Sequence, residues 1–110
     1  MIENCTIYEQ RLYRLQEQMI TQEIDCAVVC TSPNLFYMTG YAPKKDERFQ
    51  VAFFPKEGEP VLALPKMYLE QAERECSITN LRPWNDGTDL TAYIRGIVEE
   101  LGRSMARLAI

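Results

Sequence analysis

Residues 25–31, "DCAVVCT", carry apolar side chains at consecutive positions, so an extended chain here shows an apolar surface on both faces. Successive side chains of a strand point to opposite sides, and a strand that is apolar on both must be covered on both. The segment is short and partly β-branched, which also fits a strand. A chain built around it needs helices above and below a sheet.

The rest of the sequence supplies them. From about Thr6 to Glu23, the residues Tyr8, Leu12, Leu15 and Met19 recur at helical spacing and lay one apolar stripe along a helix. Thr6 followed by Glu9 is a capping-box pattern that marks its start. After the first strand, Ser32 suits an N-cap, Pro33 the first helical position and Gly40 a left-handed stop, so "PNLFYMT" forms a helix of one to two turns. "FQVAFFP" (residues 49–55) and "PVLALP" are strands separated by the short polar turn "KEGE", which makes an antiparallel hairpin.

"KMYLEQAERECS" follows as a short helix with Leu69, Ala72 and Cys76 on one side, and "ITNLRPW" as a short strand. "TDLTAYIRGIVEELG" is a helix striped by Leu90, Ile94, Ile97 and Leu101, capped by Thr88 or Asp89 and stopped by Gly102. "MARLAI" begins a last strand. The order α-β-α-β-β-α-β-α-β, with one hairpin, predicts an α/β fold: a mixed sheet with helices on both faces. The closing strand stops without terminating residues, so a longer natural polypeptide is expected.

At 110 residues the chain is one domain, able to bury roughly two thirds of its unfolded surface. A net charge of −4 argues against a non-specific nucleic-acid binder and against an anionic membrane surface. No apolar run approaches the ~20 residues that span a bilayer, and "MIENCTIYEQ" lacks the order of a secretory signal. A cytoplasmic protein is expected. Cys5, Cys26, Cys30 and Cys76 fit that compartment as free thiols. Cys26 and Cys30 fall on one face of the first strand and read as small buried hydrophobes. No Cys-x-x-Cys pair offers a zinc site.

The absence of histidine removes the commonest general base and the commonest transition-metal ligand. Without it there is no Ser or Cys triad, and no Gly-x-Ser-x-Gly elbow or Gly-rich phosphate loop occurs. Mixed sheets with a hairpin also occur in ribonuclease-H-like nucleases, which need carboxylates on the central strand for two Mg²⁺ ions. Here Ala27-Val28-Val29-Cys30 fills that interior and Asp25 stands at its entry, so nuclease chemistry is disfavoured.

"TSPNLFYMTGY" (residues 31–41) leaves the carboxyl end of a buried strand, where open α/β sheets form their ligand crevices. So short a helix is too small to bury Leu35, Phe36, Tyr37 and Met38 on one side, so part of this surface should face a cleft or an interface. In "KKDER" (residues 44–48), Arg48 is placed to reach a carboxylate on a ligand or partner with its fork of donors. A solvated loop is the simpler reading of the same residues.

Three pieces in this order, Ser32-Pro33-Asn34, Tyr37-Met38-Thr39-Gly40-Tyr41, and Glu47-Arg48 leading into the hairpin, resemble the N-terminal domain of the creatinase/prolidase/aminopeptidase P family. The resemblance covers nearly the whole chain. It implies a ribonuclease-H-like α/β fold without nuclease function, with residues 1–110 preceding a C-terminal pita-bread catalytic domain. That domain would carry two divalent metal ions, usually Mn²⁺, Co²⁺ or Zn²⁺, on an Asp, Asp, His, Glu, Glu set, none of which is placed here. The family hydrolyses the bond before proline in short peptides. Its N-terminal domain makes homodimer contacts and covers the cleft, which would bring Tyr37, Tyr41 and Arg48 nearest substrate. No cofactor is expected in residues 1–110 themselves. One departure concerns the first helix: Glu23 stands where the family usually has Gly, so that helix must end without its customary left-handed glycine. The alternatives are a free-standing α/β binding module and the N-terminal domain of a creatinase-type amidinohydrolase.

Overall fold

A computed structural model describes residues 6–43, 49–101 and 108–109. The elements are α1 (Ile7–Thr21), β1 (Cys26–Cys30), α2 (Pro33–Thr39), β2 (Val51–Pro55), β3 (Val61–Pro65), a 3₁₀ turn (Lys66–Tyr68), α3 (Leu69–Glu75), β4 (Asn80–Trp84), α4 (Leu90–Glu100) and β5 (Leu108–Ala109). This is the expected order, with a 3₁₀ turn leading into α3. The five strands lie in the order β4-β3-β2-β1-β5. β2 runs antiparallel to both β1 and β3, while β4 is parallel to β3 and β5 is parallel to β1. The sheet is mixed, as expected.

The hairpin is its centre. Every residue of β2 and of β3 is buried. Their side chains alternate between two clusters, because strand periodicity sends neighbours to opposite faces. Ala52, Phe54, Leu62 and Leu64 pack with Leu35, Ala72, Leu12 and Leu15, on the face covered by α1, α2 and α3. Val51, Phe53, Val61 and Ala63 pack with Ile97, Tyr93 and Ile94 of α4 on the other. Trp84 Nε1 donates to the Phe49 carbonyl at 3.0 Å, tying the last residue of β4 to the segment before β2.

The cysteines of β1 part company. Cys26 is buried under α4, as expected, but Cys30 is exposed. The two share a face, yet the cluster under α4 takes in Cys26 and Val28 and stops short of the strand's carboxyl end. Cys5 and Gly102 lie outside the described residues.

α1 opens on the capping box. Glu9 N–H donates to Thr6 Oγ1 at 3.1 Å, and Thr6 N–H donates to Glu9 Oε1 at 2.9 Å. The helix ends at Thr21, short of the expected Glu23, in a Schellman pattern. Ile24 N–H donates to the Met19 carbonyl (2.8 Å) and Glu23 N–H to that of Ile20 (3.2 Å). Glu23 itself takes the left-handed conformation, at φ 59°. The chain therefore keeps the geometry of a glycine stop and carries its strain on a glutamate. At the other end of the sequence Asp89 caps α4, accepting from Ala92 N–H at 3.3 Å. No helix among the described residues is long and apolar enough to cross a membrane.

Two outcomes are expected. Left-handed backbone costs a non-glycine residue about 1–2 kcal/mol, and glycine's extra unfolded-state freedom offsets about half of that. Glu23→Gly should therefore raise stability by about 0.5–1 kcal/mol in urea unfolding. The second concerns pH. Burial pushes the Cys26 thiol from 9.0 up to about 11 and the half-buried Tyr93 phenol from 10.0 up to about 12. Below pH 9 both groups are protonated folded or unfolded, and their contribution is complete. Above it the unfolded chain releases its protons first, so stability should fall steadily through pH 9–12. A Cys26→Ala variant should lose the lower part of that slope.

Candidate functional site

α2 is the element on which the exposed aromatic surface sits. Ser32 Oγ accepts from Leu35 N–H at 3.3 Å and donates to the Cys30 carbonyl at 2.8 Å, so one hydroxyl caps the helix and ties it to the end of β1. Pro33 occupies the first turn, where its missing N–H costs nothing. Leu35 and Thr39, one turn apart, are buried, and Met38 is half-buried. Phe36 and Tyr37 fall on the other side and are 54% and 50% exposed. The helix is too short to hide all its bulky residues, and it shows two of them.

Gly40 fixes where that surface points. It ends α2 at φ 79°, with its N–H on the Phe36 carbonyl at 2.8 Å. A Cβ placed there would lie 2.8 Å from the Tyr8 hydroxyl and 3.1 Å from the Glu75 carbonyl oxygen. Backbone conformation and close approach of α1 and α3 both demand glycine. Buried Thr39 completes the turn: its hydroxyl donates to the Leu35 carbonyl at 2.7 Å and accepts from Tyr41 N–H at 3.1 Å.

The three residues expected nearest substrate have different placements. Tyr37 is at the surface, between α2 and α1. The Arg11 guanidinium lies over its ring, 3.7 Å from the centroid, and over that of Tyr8 at 5.6 Å. Arg11 also donates to the Tyr37 backbone carbonyl. Tyr41 is fully buried, and its hydroxyl donates to Gln50 Oε1 at 2.7 Å. The turn at Gly40 swings the chain inward, and the phenol joins the cluster under α1–α3. Within this chain it supports the surface without lining it. Arg48 lies outside the described residues.

Two features escaped the sequence reading. Arg11 is one; it follows Tyr8 by three positions on α1, the spacing of a shared helix face, but its partner on α2 is distant in sequence. The other is a hollow of about 190 Å³ at the carboxyl ends of the parallel strands β3 and β4, lined by Pro65, Lys66, Met67, Trp84, Asn85 and Asp86. Met67 there is exposed. Crevices of α/β sheets form at such ends.

Among the described residues the chemistry available is limited. A dinuclear metal centre does not fit: among the described residues no three Cys, Asp or Glu side chains converge to hold an ion. Burial pushes the Cys26 and Cys76 thiols up, keeping them protonated and weakly nucleophilic near neutrality. Gly40→Ala should unfold the protein more readily, by about 2 kcal/mol or more from left-handed strain and the Tyr8 contact, measured by chemical denaturation. A loss below about 0.5 kcal/mol, the level of an ordinary surface change, would refute the packing argument.

The family profile of the creatinase/prolidase N-terminal domain matches residues 11–110. An uncharacterized peptidase of Staphylococcus epidermidis is 31% identical over 64 residues, covering 58% of this chain and 18% of that protein. The chain thus spans about a fifth of the length of such relatives. Among solved structures, a prolidase from Thermococcus sibiricus superposes with a TM-score of 0.79 at 23% identity, over 87% of this chain and 26% of that one. The N-terminal domain of a Xaa-Pro dipeptidase from Lactobacillus brevis gives 0.80 at 14% identity, over 89% of this chain and 73% of its own. The likeness at these identities is one of fold; the profile match across α2, the hairpin and both helical layers supplies the kinship, and the chain belongs to the creatinase/prolidase N-terminal domain family.

Proposed function

We infer that this chain is the N-terminal, non-catalytic domain of a cytoplasmic, metal-dependent Xaa-Pro dipeptidase or aminopeptidase. In this reading the two divalent metal ions, and the hydrolysis of the bond before proline, belong to a C-terminal catalytic domain of the same polypeptide. The N-terminal domain contributes homodimer contacts and covers the substrate cleft, restricting entry to short peptides. One observation carries the reading: nearly all of the chain superposes on about a quarter of a prolidase. The described residues offer no metal-binding cluster that would give the domain a hydrolytic centre of its own.

The exposed face of α2 suits the role. Phe36 and Tyr37 present flat, rigid rings at the surface, and a proline ring packs on such a face at small entropic cost. The hollow beside Trp84 and Met67 offers a second apolar wall at the sheet edge.

The purified 110-residue chain, given Mn²⁺ and a Xaa-Pro dipeptide, is expected to release no proline; metal-dependent turnover would overturn the assignment. In the two-domain protein, Tyr37→Ala should raise KM several-fold and leave kcat nearly unchanged, the signature of lost substrate binding without lost chemistry. An unchanged KM would remove Tyr37 from the cleft.

A further inference from the structure

We propose that the groove between α1 and α2 binds the C-terminal carboxylate of a short peptide, with Arg11 and Arg14 as its cationic pair. The groove is lined by Arg11, Arg14, Leu15, Gln18, Tyr37 and Met38 and has a volume of about 190 Å³. This binding role goes beyond the cleft-covering one: it shares Tyr37 with that reading and adds the charge of α1.

Charge is the first argument. The chain carries a net charge of −4, yet the residues lining this groove include two arginines and no acid. Glu17 lines an adjoining hollow that shares Arg14 and Gln18 with this one. Ion pairs among the described residues join Lys56 to Asp25 and Arg82 to Glu100, leaving Arg11 and Arg14 without an acidic partner there.

Preorganisation is the second. The Arg11 guanidinium carbon lies 3.7 Å from the centroid of the Tyr37 ring, with one N–H on the Tyr37 carbonyl. Stacking of this kind holds the guanidinium in place and leaves its remaining donors for an anion. Arg14 follows three residues later on the same face of α1. A planar fork offering parallel N–H donors matches the two oxygens of a carboxylate.

Size selects the occupant. A drug-sized ligand needs roughly 300–1,000 Å³, and the groove, at about 190 Å³, is smaller. A groove of this size suits the end of a chain. Leu15 and Met38 supply an apolar floor beside the two cations, where an aliphatic last side chain can rest. Arg14 is exposed and Arg11 partly so, so the association should be weak and sensitive to salt.

The test is a chemical-shift titration of the ¹⁵N-labelled chain, including arginine side-chain signals. The probes are acetyl-Ala-Leu, its C-terminal amide, and acetyl-Ala-Asp-amide, whose one carboxylate is a side chain. Acetyl-Ala-Leu should shift the Arg11, Arg14 and Tyr37 signals, and the amide should not. Arg14→Ala, an exposed change, should weaken the association about ten-fold, the equivalent of one charge-assisted contact. Arg11→Lys, which keeps charge but loses the planar stack, should weaken it as well. The proposal falls if the amide binds as well as the acid, if no shifts appear, or if Arg14→Ala binds like the parent. Equal binding of acetyl-Ala-Asp-amide would overturn the assignment to a chain terminus. These readouts involve neither turnover nor a second domain, so they fail separately from the peptidase reading.

Discussion

The β2–β3 hairpin must be dry on both faces, and the remaining elements are arranged to meet that demand. All ten strand positions, Val51–Pro55 and Val61–Pro65, are buried. Burying a side chain such as Phe54 or Leu62 contributes about 1.5–3 kcal/mol, but only if something apolar lies against it. Three helices cover one face and α4 the other. β1 and β4 pair with the hairpin's two outer edges, so its backbone donors and acceptors find partners as well.

That constraint also accounts for the exposed aromatic surface. The α1–α3 layer is crowded, and α2 enters it as a helix of seven residues pinned at both ends. Ser32 holds its start to the end of β1, and Gly40 lets its stop pass close to Tyr8 and the Glu75 carbonyl. With Leu35 and Thr39 committed to the interior, the helical repeat puts Phe36 and Tyr37 outside. Arg11 from α1 then closes over Tyr37. The surface is a by-product of packing, with α2 held at both ends.

Much of this was legible in local chemistry. The capping box at Thr6 and Glu9, the Ser-Pro start and Gly stop of α2, and the Asp89 cap are decided by atoms within a turn of one another. The hairpin was equally plain, because its turn is short and its strands are apolar throughout. The site was less so. Tyr37 and Tyr41 are both aromatic and four residues apart, yet one is half-exposed and the other fully buried on Gln50. The turn at Gly40 between them reverses the direction of the chain, and spacing alone does not carry through such a reversal. Arg11 went unnoticed for a related reason: its partner lies 26 residues away.

By itself the sequence determined the element order, the caps, the double-faced burial of the sheet and the absence of histidine chemistry, because each follows from periodicity, from contacts between near neighbours or from residue type. Tertiary structure decided which face each helix covers and which aromatic side chain stays outside. It also made Glu23 hold a glycine's conformation and set a guanidinium from α1 over a tyrosine of α2. Those outcomes depend on how segments distant in the chain compete for the same two faces of one sheet, and that competition is settled only when all of them are packed at once.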